Sequence, residues 1–304
     1  MVRLTTTMSQ AGRNIATGLG AALVWALCGG AAFADQPHDW EIGFQAAATP
    51  ITERIHAFHD ELLVIIFAIA LFVVGLLLYV MVRFNARSHP VPTRTSHNTV
   101  IEVLWTVIPV LILVTIAIPS FKLMYYMDRV PDSKMTIKVT GHQWYWEYTY
   151  PDNGNLDFNS NLIADKDLKP GEPRLLSVDN PLVIPVGTTI RVQVAGSDVI
   201  HSWFVPSFGV QEYAVPGRLN EAWMRVLHTG TYYGECNQIC GVNHAFMPIE
   251  VKVVSQDDFQ KWLADAKTKF SSLDKPRDTA TQVAAADSAS SVLPAADKSA
   301  QAGN

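Results

Sequence analysis

Residues 236–247 read CNQICGVNHAFM, and this stretch decides how the rest of the chain is interpreted. Its ligand-type side chains follow the spacing C-x3-C-x3-H-x2-M, and one more histidine lies 35 residues before the first cysteine. Thiolate with imidazole favours copper over magnesium or calcium, and the thioether argues against structural zinc. A mononuclear electron-transfer copper site uses one cysteine, whereas a second cysteine here can bridge two ions. The pattern therefore predicts a dinuclear copper centre for one-electron transfer, built from His201, Cys236, Cys240, His244 and Met247.

The composition indicates that part of the chain lies in a membrane. Of 304 residues, 49% are hydrophobic and 17% are charged, whereas soluble domains carry roughly 25% charged residues. The net charge of −5 argues against nucleic acid as a partner.

Residues 1–34 are interpreted as a secretory signal peptide. Arg3 and Arg13 flank its start, residues 15–27 are apolar, and Ala32-Phe33-Ala34 is a cleavage motif; a retained signal anchor is the alternative. Cleavage after Ala34 would remove Cys28 and leave only the cysteines of the 236–247 stretch. In an exported domain those two could form a disulfide, but the accompanying histidines and methionine favour a metal site.

Two uncharged stretches, residues 62–82 and 103–121, are long enough to cross a bilayer as helices. Two buried helices of a soluble core are the alternative. We expect a transmembrane hairpin over residues 62–127 after an N-terminal segment, 35–61. The connecting loop, 83–102, carries Arg83, Arg87 and Arg94, which places it in the cytoplasm of a bacterial-type inner membrane. Both mature ends then face the periplasm.

Beyond residue 128 the pattern becomes that of a β-domain, expected over residues 128–270. Short β-rich runs separated by turn signals indicate a sandwich or barrel. With the metal-binding loop between the last two runs, the domain resembles an all-β cupredoxin Greek-key barrel. A closing helix over 257–267, capped by Ser255, is expected, and a disordered tail over 271–304. The predicted strands are residues 135–140, 145–150, 175–177, 189–194, 221–225, 230–234 and 248–254.

Four motifs give the chain a family resemblance. GHQWYWEY at 141–148, DVIHSWFVPSFG at 198–209, AVPGRLNE at 214–221 and YGECNQICGVNHAFMP at 233–248 follow one another in order. Together they resemble subunit II of the haem-copper cytochrome c oxidases, with similarity extending over residues 51–262.

The resemblance implies a ligand assignment. Cys236 and Cys240 would bridge both coppers, His201 and Met247 would complete one copper, and His244 with the carbonyl of Gln238 would complete the other. The family usually has glutamate where Gln238 stands, and its carboxylate helps bind Mg or Mn at the interface with subunit I. A neutral amide is a weaker ligand for a hard dication, so two interpretations stay open: the amide oxygen still binds the ion, or this chain lacks that site.

The aromatic run at 142–150 has two interpretations. Trp146, Tyr148 and Tyr150 fit a strand whose alternate rings fill a core, whereas the resemblance implies that Trp144 receives electrons above the copper. Residues 128–265 hold 17 acidic and 11 basic residues, and an acidic face would attract a basic carrier. Each acid could equally be an ordinary solvated side chain. The docking candidates are Gln143, Tyr145, Glu147, Asp152, Asp157, Asp179 and Asp198.

Glu102 precedes the second apolar stretch, where it is either a charge marking the helix boundary or, by resemblance, the mouth of a proton channel into subunit I. The chain has no C-x-x-C-H motif, so haems are expected only in the partner. The implied partners are oxidase subunits I and III, cytochrome c and membrane lipid.

Three other classes of protein share some of these features. A quinol oxidase subunit would lack the ligand set, and a nitrous oxide reductase needs a large catalytic domain. A copper-binding or copper-delivery cupredoxin without turnover is the remaining alternative.

Overall fold

The computed structural model describes residues 33–91 and 93–271. Most of the predicted signal peptide, 1–34, and most of the predicted disordered tail, 271–304, lie outside these residues; residue 271, predicted to belong to the tail, is helical. The described chain folds as a helical hairpin followed by a β-domain of two sheets and a closing helix. In chain order its elements are β1 (Phe33–Asp35), α1 (Pro50–Arg83), α2 (Thr99–Asp128), β2 (Met135–His142), β3 (Tyr145–Tyr150), β4 (Leu156–Ser160), β5 (Leu182–Pro185), β6 (Ile190–Gly196), β7 (His201–Val205), β8 (Val210–Ala214), β9 (Asn220–Met224), β10 (Gly230–Cys236), β11 (Pro248–Val254) and α3 (Gln256–Ser271).

The two long helices have the dimensions and exposure of membrane spans. None of the residues in their most apolar windows is buried, which is the opposite of helices in a soluble core. The alternative of two buried core helices is therefore not supported, because nothing else in the described chain covers their apolar surface.

Helix caps set the bounds of the hairpin. The Thr49 side chain accepts a hydrogen bond from Thr52 N, so α1 begins well before the apolar stretch. Asn98 accepts hydrogen bonds from Val100 N and Ile101 N, so α2 begins before Glu102. The connection is thus residues 84–98 rather than 83–102. Both prolines of α2 lie inside a continuous helix.

The β-domain consists of two sheets that face each other across a common core. One has the strand order β5-β11-β10-β7-β8, with β1 also paired to β10, and the other has the order β4-β3-β2-β6-β9. Trp146, Tyr148, Tyr150 and Trp203 are completely buried between them. The core interpretation of the three aromatic residues of β3 is therefore confirmed.

The predicted strands agree with the structure except over residues 175–177. There Leu175 adopts a positive φ of 65°, and Leu176 N and Ser177 N both donate to Pro173 O in a turn. Pro173 therefore starts a turn, although the apolar Leu175-Leu176 pair in the sequence suggests a strand. The sequence interpretation missed β4, β5, β7 and β8, which are only four or five residues long.

The closing helix α3 begins after Ser255, whose hydroxyl accepts from Asp258 N at 3.1 Å, as a capping residue should. Its inner face buries Phe259, Leu263 and Phe270 against the domain core.

At the other end of the described chain, β1 pairs in parallel with the start of β10. This strand spans the predicted cleavage point after Ala34, and cleavage there stays a prediction.

The hairpin is tied to the β-domain at two places. The hydroxyls of Thr49 and Thr52 donate to Phe208 O at 2.7 Å and Ser207 O at 2.9 Å. On the second helix, Tyr126 O accepts from Trp223 Nε1 at 3.2 Å. These contacts join the membrane helices directly to the domain that carries the metal-binding loop.

Candidate metal centre

The sheet containing β10 brings the distant His201 to the cysteine loop. β10 ends at Cys236, the loop returns through residues 237–247, and β11 begins at Pro248. β7, which starts at His201, pairs antiparallel with β10 so that Trp203 lies opposite Cys236. The pairing of β7 with β10 therefore fixes the position of His201 relative to Cys236 at the start of the loop.

The two cysteines are free, buried thiols. Their Sγ atoms lie 3.9 Å apart, far beyond the S–S bond of about 2.05 Å in a disulfide. The distance is shorter than about 4.6 Å, twice a metal–thiolate bond. Both sulfurs can therefore bind one ion together, which is the condition for bridging.

The remaining predicted donors surround this sulfur pair. His201 Nδ1 lies 4.0 Å from Cys236 Sγ, and His244 Nδ1 lies 3.7 Å from Cys240 Sγ. Met247 Sδ is 3.6 Å from Cys240 Sγ. The carbonyl oxygen of Gln238 lies 3.3 Å from Cys236 Sγ and accepts its thiol hydrogen bond.

This arrangement fits copper. His201, Cys236 and Cys240 have ligand atoms within 4.8 Å of one another and are all buried. Two sulfurs, two imidazoles and a thioether form the soft set that copper prefers. One histidine lies beside each cysteine, which provides donors for two ions rather than one.

His201 is held in a single orientation by Asp198. The imidazole is completely buried, and its Nε2 lies 2.8 Å from Asp198 Oδ1. An Nε2–H donating to the carboxylate leaves Nδ1 as the free ligand atom, and Nδ1 is the one that faces Cys236. A carboxylate on the far nitrogen of a ligating histidine fixes its tautomer and raises its basicity.

Asp198 also holds the segment that carries Trp144. It accepts hydrogen bonds from Gln143 N at 2.7 Å and Val199 N at 2.6 Å. Partial burial raises the pKa of Asp198, but the hydrogen bonds from His201 and these two amides outweigh burial and hold the pKa below its usual value. The carboxylate is therefore ionised at neutral pH.

The two thiols differ in acidity in the metal-free protein. Burial raises the pKa of Cys236, yet hydrogen bonds involving His201, Ser202 N and the Gln238 backbone lower it to about 7. Burial and the neighbouring Cys236 thiolate raise the pKa of Cys240 to about 12. One thiolate thus forms readily, and the second must be released as the metal binds.

Trp144 contacts the backbone of the cysteine loop directly. Its Nε1 donates to Cys240 O at 3.3 Å, and Gln143 Nε2 donates to the same oxygen at 2.8 Å. A Cβ atom at Gly241 would lie 2.8 Å from Trp144 Cζ2, and φ there is +126°. Glycine is therefore required both by the backbone conformation and by the closeness of the indole ring.

Gly141 has a similar function beneath His201. A Cβ atom at this position would lie 2.8 Å from His201 Cδ2. The absence of a side chain in β2 thus creates the space that the buried imidazole occupies. Trp146 completes the surroundings, because its ring stands edge-on to His201 at 5.9 Å and its Nε1 donates to Met247 O at 3.2 Å.

The docking candidates separate into two groups along β3. Glu147 lies 2.9 Å from His142 Nε2, and this hydrogen bond lowers the pKa of Glu147. Asp179 accepts a hydrogen bond from Asn161 N. Asn161 directly follows Ser160, the last residue of β4, which pairs with Trp146. The structure thus places Glu147, Asp179 and Asp198 toward the Trp144 end, together with Gln143 and Tyr145.

Asp152 and Asp157 lie toward the opposite end of β3. Asp152 lies two residues after Tyr150 and accepts a hydrogen bond from Thr136 N at 2.7 Å, and Asp157 pairs with Thr149. From Trp144 to Thr149 is five residues, or about 17 Å along an antiparallel strand. Asp152 and Asp157 are therefore well separated from the metal-binding loop.

Glu102 lies apart from the centre, at the start of α2, where its Oε1 lies 3.3 Å from Asn98 N. This contact is the local one expected of an acid at a helix start.

Sequence reasoning missed the orienting contact of Asp198 and the spaces at Gly141 and Gly241. The available signal was an acid three residues before a candidate ligand histidine.

Comparison with known proteins supports the same conclusion over most of the chain. A family model described as cytochrome c oxidase subunit II, periplasmic domain, matches residues 135–254, and one described as its transmembrane domain matches residues 37–123. A probable cytochrome c oxidase subunit 2 from Rickettsia bellii is 51% identical over 252 residues, covering 83% of this chain and 92% of the relative. The cytochrome c oxidase subunit 2 of Cyanidium caldarium is 47% identical, covering 75% of this chain and 92% of the relative.

Among solved structures, the periplasmic domain of subunit II of cytochrome oxidase from Bradyrhizobium japonicum is 51% identical, with a TM-score of 0.44. It covers 47% of this chain and 99% of that one. On the two family matches and the full-length relatives, this chain belongs to the family of cytochrome c oxidase subunit II.

Proposed function

We propose that this chain is the electron-receiving subunit of a cytochrome c oxidase. It takes electrons one at a time from cytochrome c and passes them to the haem of subunit I, where oxygen is reduced to water. The observation that carries this proposal is the buried donor set, with its two free sulfurs 3.9 Å apart. Bound by these donors, two copper ions would supply a one-electron couple.

The residues around the donors keep them in one geometry. Electron transfer is fast when ligands do not rearrange between redox states. The β7–β10 pairing fixes His201 relative to Cys236, and the Asp198 contact fixes the imidazole. Cys236 and Cys240 would hold both copper ions, and His201 and Met247 would complete the ligands of one of them.

His244 and the carbonyl of Gln238 would hold the second copper. A backbone ligand makes no demand on the side chain, so glutamine is acceptable at this position. For a possible magnesium ion at the subunit I interface, the Gln238 side chain offers one neutral oxygen, which is a weaker donor than a carboxylate.

Electrons are proposed to arrive through Trp144. The indole N–H contacts Cys240 O, and from that carbonyl the path to Cys240 Sγ runs entirely through covalent bonds. Trp144 is half-buried, and its ring lies against Gly241. An aromatic ring in this position shortens the gap to a haem edge on a docked partner.

Cytochrome c is proposed to dock over Trp144. Glu147, Asp179 and Asp198 supply the negative charge, and Gln143 and Tyr145 supply the uncharged contacts. Opposite charges on the two partners accelerate encounter at low salt. The more distant Asp152 and Asp157 are assigned to long-range attraction rather than contact.

The membrane topology follows the arginines of the connecting loop. The hairpin crosses a bacterial-type inner membrane twice, with the β-domain and both mature ends on the periplasmic side. Subunit I and subunit III are the proposed partners within the bilayer, and haems are assigned to the partner. Glu102, on the cytoplasmic side, is proposed to lie at the mouth of a proton channel into subunit I.

The copper-delivery alternative is not favoured. Both the helical hairpin and the β-domain match the oxidase subunit models, whereas a delivery protein has no need of a two-helix anchor matched to a partner.

Stopped-flow reduction of the assembled oxidase by reduced cytochrome c tests the route through Trp144. Trp144→Phe removes the N–H that contacts Cys240 O while keeping an aromatic ring, so electron transfer from cytochrome c should slow. Trp262→Phe, on α3, is the matched control and should react at the wild-type rate. Equal rates for Trp144→Phe and wild type would reject this route.

A further inference from the structure

The segment before α1 exposes an unusual amount of apolar surface. Trp40 is 97% exposed, Ile42 is 101% exposed and Phe44 is 53% exposed. Three large apolar side chains are thus exposed within five residues, and clustered apolar exposure of this kind marks contacts with a partner or a membrane. Neither the proposed docking of cytochrome c nor the metal centre involves these three side chains.

Ring contacts fix the segment against α1. Phe44 stacks on His56 at 4.9 Å with an interplanar angle of 10°, and meets His59 edge-on at 4.7 Å. Phe44, at the end of the segment, therefore lies at the height of His56 and His59 along the helix, and Ile42 and Trp40 precede it by two and four residues.

This height falls in the headgroup layer of the bilayer. The uncharged stretch of α1 begins at Leu62, directly after Asp60 and Glu61. With a rise of 1.5 Å per residue, His59 and His56 lie about 4.5 Å and 9 Å above that point. The headgroup layer on each side of the hydrocarbon core is roughly 5–8 Å thick.

The second helix gives the same level independently. Its uncharged stretch ends at Phe121, before Lys122, and Tyr125 is 56% exposed. Tyr125 lies about 6 Å beyond Phe121 along the helix. Exposed aromatic residues at this depth are typical of the aromatic belt at a membrane–water interface.

We propose that residues 40–44 make a membrane contact of their own, in which Trp40 and Ile42 insert into the headgroup–acyl boundary on the side of the β-domain. The occupant of this apolar patch is the lipid bilayer. Because Asp39 and Glu41 alternate with the inserted residues, the segment should prefer zwitterionic over anionic lipid.

The contact would reinforce the attachment of the β-domain to the membrane helices. Between the segment and α1, Gln45 Oε1 accepts from Ser207 Oγ at 2.9 Å, and Ala48 N donates to Ser207 O at 2.9 Å. Lipid anchoring of residues 40–44 is thereby transmitted to the turn before β8, in addition to the attachments through α1 and α2.

Depth-dependent fluorescence quenching tests the proposal. The full chain is reconstituted in nanodiscs of phosphatidylcholine, either unmodified or brominated on the acyl chains near the headgroup, and the same measurement is made on the assembled oxidase. Subtracting the spectrum of Trp40→Phe from that of wild type isolates the emission of Trp40. Phenylalanine keeps an apolar ring, so the variant retains the segment's packing.

The Trp40 emission should lose most of its intensity in brominated lipid and should resist aqueous iodide, in both preparations. Ile42→Trp in the Trp40→Phe background should respond in the same way. Quenching by iodide but not by brominated lipid would overturn the proposal. Protection from both quenchers in the assembled oxidase would also overturn it, because the patch would then be covered by a protein subunit.

Discussion

Removing the Asp198 carboxylate should weaken copper binding even though Asp198 is not a ligand. Asp198 accepts from His201 Nε2 at 2.8 Å, Gln143 N at 2.7 Å and Val199 N at 2.6 Å. Asp198→Ala removes all three contacts, so the imidazole loses the partner that directs Nδ1 toward Cys236. Loss of such a supporting partner typically costs about 10- to 100-fold in metal affinity, or roughly 1.4–2.7 kcal/mol.

Asp198→Asn should have a smaller effect. Its single amide oxygen can replace the Oδ1 that accepts from His201 and Val199, but the amide nitrogen then faces the Gln143 N–H. One hydrogen bond is lost and two donors oppose each other, so the aromatic segment is released while the imidazole keeps an acceptor. The order of copper affinity should be wild type, then Asp198→Asn, then Asp198→Ala.

The assay is competition for copper between the full chain in detergent and a chelator of known affinity. Asp152→Ala is the matched control, because Asp152 also accepts a backbone N–H at 2.7 Å but lies at the far end of β3. If Asp198→Ala binds copper as tightly as Asp152→Ala and wild type, then Asp198 does not orient His201 and the reasoning fails.

Four further outcomes are expected. Gly141→Ala places a methyl 2.8 Å from His201 Cδ2; denaturant unfolding should show a loss of about 1–3 kcal/mol, and the visible spectrum of the copper-loaded chain should change. Burial raises the pKa of Tyr148 and Tyr150, so their contribution to stability is complete below about pH 10, the unfolded value, and is lost as pH rises above it. Tyrosinate absorbance should then rise together with the loss of circular dichroism; ionisation of both while the fold persists would contradict this. Glu102→Gln should slow proton-coupled steps of the oxidase and leave its reduction by cytochrome c unchanged, as seen by comparing the two rates; equal slowing of both would reject the channel role. The association rate constant with cytochrome c, measured by stopped flow, should fall with ionic strength, and a salt-independent rate would exclude attraction by the acidic face.

The metal centre could be predicted because its ligands carry their chemistry in their identity. Cysteine, histidine and methionine are rare, and the spacing of residues 236–247 already contains four of the five predicted side-chain ligands. His201 was recognised through its motif, whereas its closeness to Cys236 depends on the pairing of β7 with β10. That pairing joins strands separated by about thirty residues, which local patterns cannot reveal.

The supporting contacts leave only a weak signal in the sequence, such as the acid three residues before His201. The sequence offered two interpretations of Asp198, a docking residue by resemblance or an ordinary solvated acid, and only three-dimensional placement shows its carboxylate against His201. Gly141 and Gly241 are likewise needed because a Cβ atom would collide with His201 at the first position and with Trp144 at the second. Such spaces depend on neighbours from other strands and leave no local signal.

Fold prediction was limited mainly by short elements. β5, with four consecutive buried residues, has no alternation to detect, and β7 begins with the polar pair His201-Ser202, both of which are buried. The hairpin was predictable because length and lack of charge alone define a membrane span.

A metal count combined with an electron paramagnetic resonance spectrum, on the full chain purified from membranes and loaded with copper, tests the central claim most directly. The account predicts two coppers per chain sharing one unpaired electron. A spectrum of a single copper, or a copper-free chain with a Cys236–Cys240 disulfide after careful reduction, would contradict it.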